Sequence, residues 1–383
     1  MATHPTSRRG QIQLTFNWVF ILIAGAVILL FFVGIVVKQK AASEQQLGTD
    51  VVRILESIFV GAGASEKTKN SIDTSGLIDY TLEVGCSEGV GQFSIKGKGE
   101  RRQNVPDPIF APQELKASRL SLWSLPYKLP FKVIDFLFVT SENTKYFLIG
   151  DDAFLTEFLN ETEPDEKAQF RINREKAMDI LSIDPGQNYQ VRIVDVTGSA
   201  VREGIPVPRL LERMDDAAVT AIVFVEPKMA QYYQKQGSRW RKIGLPVPIV
   251  SLSGKRDAAK YAAIFAGNGE VYQCNMQKAF RRLEYLNEIY GGENIAFSQP
   301  GGKVGDLAQY YFDHTELSSR SICQGIITTF PVENLVTALG SHQNAVKACL
   351  RQPGSCTDLI RTGQALKDIN SRLATAGDCL TLY

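Results

Sequence analysis

The chain has 383 residues, of which 44% are hydrophobic, and 42 lysines and arginines stand against 41 aspartates and glutamates. This composition suffices for a sizeable buried core, and a formal net charge of +1 lacks the basic excess of a nucleic-acid binder, so we exclude nucleic acid as a partner. Only three histidines occur, which leaves few general bases and few of the commonest metal ligands.

An apolar segment near the N-terminus is the first predicted element. Residues 16–37 read FNWVFILIAGAVILLFFVGIVV and carry no ionisable side chain before Lys38. They number about 22, and roughly 20 apolar residues cross the hydrocarbon core of a bilayer. The segment therefore predicts a transmembrane anchor over residues 11–40 that contacts the lipid bilayer. A buried core helix and a cleaved signal peptide are the alternatives, but the run has no polar stripe, and Lys38 and Lys40 interrupt any cleavage site.

The residues before this segment resemble a known export signal. Arg8-Arg9-Gly10-Gln11, followed at once by a long apolar helix, resembles the class III signal of archaeal type IV pilin-like proteins. The resemblance implies a leader over residues 1–10, cleavage by a prepilin peptidase between Gly10 and Gln11, and an apolar helix that serves as membrane anchor and filament core. The family's usual glutamate at the fifth mature position is Thr15 here. The resemblance is confined to the N-terminal segment.

A helical pattern continues after the anchor. Apolar residues recur at steps of three and four, at Leu47, Val51, Ile54, Leu55, Ile58 and Phe59. This spacing predicts an amphipathic stalk helix over residues 41–64, ending at the two glycines of Gly61-Ala62-Gly63.

Residues 74–270 predict an α/β domain. Strands are predicted over Ile78–Val84 and Gln92–Ile95, and Val133–Val139 with Lys145–Ile149 is expected to form a hairpin. Nearly continuous apolar runs predict buried parallel strands over Tyr189–Val196, Val219–Val225 and Val247–Leu252. The intervening helices are expected over Asp151–Leu159, Arg209–Met214 and Lys228–Gln236.

Residues 271–383 predict a helical region that carries most of the cysteines. Met276, Phe280 and Leu283 mark one helix face, and further helices are expected near Val332–Leu350 and Leu359–Leu373. The predicted fold is thus an α/β or α+β extracytoplasmic domain with a helical C-terminal part, on a single N-terminal transmembrane helix.

The six cysteines predict a disulfide framework. Their number is even and none forms a C-x-x-C pair, which argues against zinc or redox motifs. The candidates for bridges are Cys274, Cys323, Cys349, Cys356 and Cys379. Cys349 and Cys356 are the favoured pair because Pro353-Gly354 predicts a turn between them, and Cys86 requires a long-range bridge. Disulfides favour a cytoplasmic N-terminus with the bulk of the chain outside the cytoplasm; inert thiols in a cytosolic domain are the alternative.

Glycine-containing motifs match no nucleotide fingerprint. Ser253-Gly254-Lys255-Arg256 lacks the earlier glycine of a Walker A loop, where Ile249 stands. Gly267-Asn268-Gly269 lacks the third glycine of a dinucleotide site and predicts a turn. We therefore predict no cofactor.

Two polar clusters remain as weak candidates. The run Asp313-His314-Thr315-Glu316 matches no metal spacing and is more simply a polar helix entry, so no metal ligand and no catalytic residue is predicted. A basic and aromatic patch is predicted at a helix end from Lys235, Arg239, Arg241 and Lys242 with Tyr232, Tyr233 and Trp240.

These observations favour a single-pass, membrane-anchored extracytoplasmic protein. We expect a pilin-like or cell-envelope component that acts by interaction, with itself or with a membrane partner, rather than by catalysis. A ligand-binding or sensor ectodomain is the alternative, because the strand ends of α/β layers commonly hold small molecules. A membrane-tethered enzyme ranks third.

Overall fold

The computed structural model describes most of the chain from residue 49 onward and scattered residues between 23 and 39. Outside the description lie residues 1–22, 24–25, 28, 32, 35–37, 40–48, 63–68, 78–79, 105–106, 117, 165–169, 187–189, 226–227, 253, 292–321, 324, 330–333, 353–355, 377–378, 380 and 382. The predicted leader, Gly10, Gln11 and much of the predicted anchor fall there. Among the helices that are described, none is both long and apolar enough to cross a membrane.

The described residues form a mixed α/β structure with a helical C-terminal part. In chain order the principal elements are α1 (49–62), β1 (Lys69–Asp73), β2 (Leu82–Ser87), β3 (Val90–Ile95), β4 (Lys98–Asn104), β5 (Ile109–Phe110), β6 (Glu114–Leu115), β7 (Arg119–Lys128), β8 (Lys132–Ser141), β9 (Thr144–Ile149), α2 (Ala153–Glu161), β10 (Asn173–Ala177), β11 (Gln190–Asp195), β12 (Val219–Val225), β13 (Met229–Gln236), β14 (Arg239–Pro248), α3 (Ala258–Phe265), α4 (Gly269–Gly291), a π-helical turn (Gly325–Thr329), α5 (Leu335–Arg351) and α6 (Thr357–Thr375).

Helix α1 packs on an antiparallel sheet of order β4-β3-β2-β6. Val52, Leu55 and Phe59 share one helix face and are buried, and the Phe59 ring lies 5.5 Å from that of Phe93. The amphipathic helix is therefore built into the fold along residues 49–62 and is not a free stalk there. Burial of this face stabilises the helix far more than its intrinsic propensity does.

A second sheet, of order β1-β7-β8-β5, has apolar cores on both faces. Because side chains alternate along a strand, Leu120 and Leu122 of β7 face the core beneath α1. Trp123 and Leu125 of the same strand face the larger core beneath α3. This sheet thus joins the α1 layer to the rest of the molecule.

The third sheet has the order β10-β9-β11-β12-β13-β14, in which the first four strands are parallel and the last two antiparallel. Tyr146 and Leu148 of β9 face α2 and α3, whereas Phe147 and Ile149 face the segment 196–218. With both faces covered, β11 and β12 read as nearly continuous apolar runs, as the sequence predicts.

Four local predictions are wrong. The run Val247–Leu252 is not a buried parallel strand, because β14 ends at Pro248 and pairs antiparallel with β13, and the residues after it belong to no strand. Strands β8 and β9 follow one another through the turn Glu142-Asn143 but lie in different sheets, so they form no hairpin. Residues 228–236 form strand β13 rather than a helix, because they pair on both sides with β12 and β14. Residues 209–214 are turns, since Leu211 and Met214 close short hydrogen-bonded loops there.

The C-terminal helices are held by apolar contacts and by covalent crosslinks. Helix α4 enters the main core through Met276, Phe280 and Leu283. A smaller cluster joins α5 and α6 to the π-helical turn. The structure contains three disulfides, Cys86–Cys274, Cys323–Cys379 and Cys349–Cys356, including the pair that the Pro-Gly turn predicts and the long-range bridge of Cys86.

Candidate functional site

A cleft of about 510 Å³ opens at the carboxyl ends of the parallel strands. We call it the sheet-end cleft; its lining residues are Asp152, Ala153, Phe154, Glu157, Val196, Phe224, Val225, Lys228, Met229, Ile249, Ser251, Gly254, Lys255, Asp257 and Lys260. Strand β9 leads through α2 to β10 on one side, while β11 and β12 lie on its other side. The chain thus changes direction between β9 and β11, the position at which open α/β sheets commonly bind ligands.

Gly150 brings the two strand ends together at this position. It follows β9 with a φ of +117°, and a Cβ there would lie 2.5 Å from the Cγ2 of Val196, which follows β11. Neither the backbone conformation nor the space accommodates another residue. The close approach of these two chain segments therefore depends on glycine.

The carboxylates around the cleft are already engaged. Asp152 caps α2 by accepting a 2.8 Å hydrogen bond from the Leu155 N–H. Asp257 caps α3 by accepting from the amides of Ala259 and Lys260, at 3.1 and 3.2 Å, and it accepts a third bond, at 2.6 Å, from the Ser251 hydroxyl. Burial raises the pKa of Asp257, although the Ser251 hydrogen bond opposes this shift.

Glu157 and Glu161 fix the loop that forms one rim of the cleft. Glu157 accepts hydrogen bonds from the Arg256 N–H, at 2.8 Å, and from the Tyr261 hydroxyl, at 2.9 Å. Arg256 has a left-handed backbone, with φ of 56°, and its Nε donates to Glu161 at 2.7 Å. Lys69 also pairs with Glu161, at 3.2 Å. These contacts hold Gly254 and Lys255 against α2.

Three lysine amines surround the cleft without forming ion pairs to any described carboxylate. The Lys228 amine donates to the Ser251 carbonyl at 2.9 Å. The Lys260 amine lies 4.9 Å from the centroid of the Phe154 ring, and Lys255 is exposed on the rim. The cleft therefore carries three amines beside the carboxylates of Asp152, Glu157 and Asp257. Each amine has three N–H groups, so donors remain for a ligand.

Asp195, at the end of β11, has a structural role. Its carboxylate accepts hydrogen bonds from the Thr197 amide and hydroxyl, at 2.8 and 2.6 Å, and from the amides of Ala200 and Val201, at 2.8 and 3.2 Å. It thereby fixes the turn that leaves β11. Within the described ranges, no group of three or more histidine, cysteine, aspartate or glutamate side chains is arranged to hold a metal ion.

The opposite end of the sheet carries a cleft of about 340 Å³ around the buried Arg192. Its guanidinium donates to the carbonyls that end α3, those of Ala263, Ile264, Ala266 and Gly267, at 2.6 to 3.4 Å. Burial lowers the Arg192 pKa, but the charge lies where a helix terminus favours a cation. The Arg192 guanidinium thus caps the C-terminal end of α3, and its donors are used by these carbonyls rather than by a ligand.

Sequence reasoning did not predict the sheet-end cleft. Gly254 and Lys255 line it, although their motif fails the Walker pattern. The predicted basic and aromatic patch is not at a helix end, because its residues lie on β13 and β14. Tyr232 and Trp240 are buried and Lys235 pairs with Asp216, whereas Arg239 and Arg241 are exposed. Asn268 caps α4 by accepting from the Val271 N–H, and residues 313–316 lie outside the description. Lys228 and Lys260 stand in no motif that a sequence search would select.

Comparison of the chain with models of protein families, with curated proteins and with solved structures finds no match. The geometry of the site therefore carries the functional argument.

Proposed function

We propose that the protein is a membrane-anchored extracytoplasmic binding protein that holds a small anionic ligand in the sheet-end cleft. One observation carries this proposal: a cleft of about 510 Å³ at the direction change of the sheet presents Lys228, Lys255 and Lys260, which form no ion pair to a described carboxylate, while Asp152, Glu157 and Asp257 accept hydrogen bonds from the protein. The volume is within the range of small-molecule sites. A cationic ligand is less favoured because Asp152, Glu157 and Asp257 each already accept at least one hydrogen bond from the protein.

The hydrogen-bond partner of the Ser251 hydroxyl, which lines the cleft, argues against catalysis there. Ser251 donates its hydrogen bond to Asp257, which is committed to capping α3. Ser251 therefore lacks the oriented imidazole or amine that usually activates a serine nucleophile. Binding without a chemical step is the simpler reading of these contacts.

The proposed location rests on residues 16–37 as the anchor and on the three disulfides, which are consistent with an oxidising compartment. Deletion of residues 1–40 is expected to release the protein from membranes into a high-salt wash. Alkylation of protein from its native membrane should label no cysteine until a reductant is added. Labelling of all six thiols without reductant would contradict an extracytoplasmic domain.

A pilin-like component is the second candidate, favoured by the Arg8-Arg9-Gly10-Gln11 signal and by the long apolar run that follows it in the sequence. Processing by a prepilin peptidase would leave Gln11 at the mature N-terminus. N-terminal sequencing that finds Met1 or Ala2 on most of the protein would remove this candidate.

The binding proposal is tested by calorimetric titration of the full chain, in lipid nanodiscs, with glucuronate, citrate and inorganic phosphate. We expect at least one anion to bind, and Lys255→Gln and Lys260→Gln each to weaken it about tenfold, the scale of one charge-assisted hydrogen bond. Lys116→Gln is the matched control because Lys116 is exposed and outside the cleft. Absence of binding, or an equal loss in the control, would contradict the proposal.

A further inference from the structure

A second cleft, of about 570 Å³, lies beside the sheet-end cleft and against α6. We call it the helix cleft; it is lined by Lys228, Leu252, Ile360, Arg361, Gln364, Ala365 and Asp368. Lys228 lines both clefts. We propose that the two clefts form one groove bridged at Lys228, and that its ligand is a linear acidic oligosaccharide. The inference rests on the proposed anion site and adds the class and length of the ligand.

The junction of the two clefts is fixed by one backbone step. Ser251 lines the sheet-end cleft and Leu252, the next residue, lines the helix cleft. The Lys228 amine donates to the Ser251 carbonyl at 2.9 Å, which places its charge at this boundary. A ligand that passes from one cleft to the other therefore meets this amine, which has no ion pair to a described carboxylate.

Helix α6 offers one continuous wall. Arg361, Gln364, Ala365 and Asp368 lie at spacings of three, four and seven residues, so they share a helix face about 10 Å long. A side of this length accommodates more than one sugar unit. The wall is anchored at its start by the Cys349–Cys356 bridge, so it need not be ordered by the ligand.

The side chains of the helix cleft suit hydroxyl groups and scattered carboxylates. Gln364 and Asp368, hydrogen-bonded to each other at 2.8 Å, present amide and carboxylate groups for hydroxyls. Arg361 makes only an exposed 3.7 Å contact with Asp358 and so retains donors for a ligand carboxylate. Leu252, Ile360 and Ala365 supply apolar surface for the faces of sugar rings.

An acidic peptide is the less favoured chain. Extended peptides commonly bind by adding a strand to an unpaired sheet edge. At this groove the strands β9, β11 and β12 contribute their ends, each is paired on both sides, and the far wall is a helix. The groove thus offers charged and polar side chains, and no strand edge for a peptide backbone.

The test is a length series of galacturonate, from the monomer to the hexamer, titrated into the full chain in lipid nanodiscs. We expect the monomer to bind in the sheet-end cleft and the affinity to rise at least tenfold by the tetramer, as the helix cleft fills. Ala365→Trp, which fills the helix cleft, and Arg361→Gln, on the exposed face, should each remove most of this gain without weakening the monomer. Lys367→Gln, exposed on the same helix and lining neither cleft, is the matched control.

Three other outcomes would each overturn a different part of the proposal. Monomer binding with an affinity independent of length would overturn the joined groove and leave the proposed anion site standing. A length-dependent gain with oligoglutamate, and none with oligogalacturonate, would overturn the glycan class. Failure of every anion to bind, in the monomer series and in the anion titrations, would remove the proposed function itself.

Discussion

The α/β core and the C-terminal helices solve the same stability problem by different means. Beneath α3, large rings pack around Phe265 and Tyr261, and no disulfide joins two residues of the third sheet. The α5–α6 cluster is much smaller, is built largely from aliphatic residues, and includes Cys323 and Cys379. Where apolar burial is abundant the fold relies on it; where burial is scarce, covalent bonds limit the entropy of the unfolded chain.

The largest expected effect is in the ring cluster. Phe265 contacts Phe138, Tyr146, Trp123 and Phe158, with ring centroids 5.2 to 6.2 Å apart. Phe265→Ala should lower the free energy of unfolding by about 3–5 kcal/mol because it removes this burial and leaves a cavity. Chemical denaturation measures the loss. Leu245→Ala is the control, since Leu245 is 81% exposed and its change should stay within about 0.5 kcal/mol.

The next effect is in the C-terminal helices. Cys323 and Cys379 are 56 residues apart, and a loop of that length corresponds to about 4 kcal/mol of chain entropy. The double substitution Cys323→Ser with Cys379→Ser should therefore increase hydrogen exchange in α5 and α6 while α3 keeps its protection. Equal loss of protection in α3 would show that the two regions unfold as one unit.

His342 lies between the two regions and makes their contact sensitive to pH. Its Nδ1 is 2.8 Å from the Thr362 hydroxyl of α6, and its Nε2 is 3.3 Å from the Leu129 carbonyl that follows β7. Burial lowers the pKa of His342 to about 4, below the usual value near 6.5, so the unfolded chain binds the proton more readily.

Stability from neutral His342 is thus fully present above about pH 6.5 and is lost as the pH falls towards 4, by about 2–3 kcal/mol. We expect the free energy of unfolding to fall more steeply over this range in the natural protein than in His342→Gln. Parallel pH profiles for the two proteins would contradict the assignment.

Removal of the Cys349–Cys356 disulfide should have the smallest effect on stability. Cys349 and Cys356 are only seven residues apart, which corresponds to about 2.5 kcal/mol of loop entropy. Replacing both with serine should cost less than removing the Cys323–Cys379 bridge, as measured by the denaturation midpoint of the C-terminal helices. The reverse order would mean that native packing around Cys356, rather than loop length, sets the contribution.

The spacing of apolar residues predicts the helices that bury one face and the strands that are buried on both faces. Helix α2 and the helices α5 and α6 follow from their apolar spacing, and β12 follows from the unbroken run Val219–Val225. Strand β13 was missed because its sequence, MAQYYQKQ, mixes polar residues into a strand that is paired on both sides. Tertiary pairing, which no local pattern encodes, decided that segment.

The site was less predictable than the fold. Lys255 stands beside a glycine and attracts notice, but Lys228 and Lys260 are ordinary lysines until the sheet brings them to one cleft. Gly150 is equally inconspicuous in the sequence, although its conformation and its distance from Val196 exclude other residues. Such constellations depend on strand order, which composition and spacing leave open.

The Cys86–Cys274 bridge has a mechanical consequence. It joins β2, in the sheet beneath α1, directly to α4. It closes a loop of 188 residues that contains the whole third sheet and every lining residue of the sheet-end cleft. A pulling force applied between the N-terminus and the C-terminal helices passes through this bond and bypasses the enclosed strands. In single-molecule stretching, roughly 620–680 Å of contour length should stay hidden until the bond is reduced. A domain crosslinked in this way can carry tension while its cleft keeps its shape.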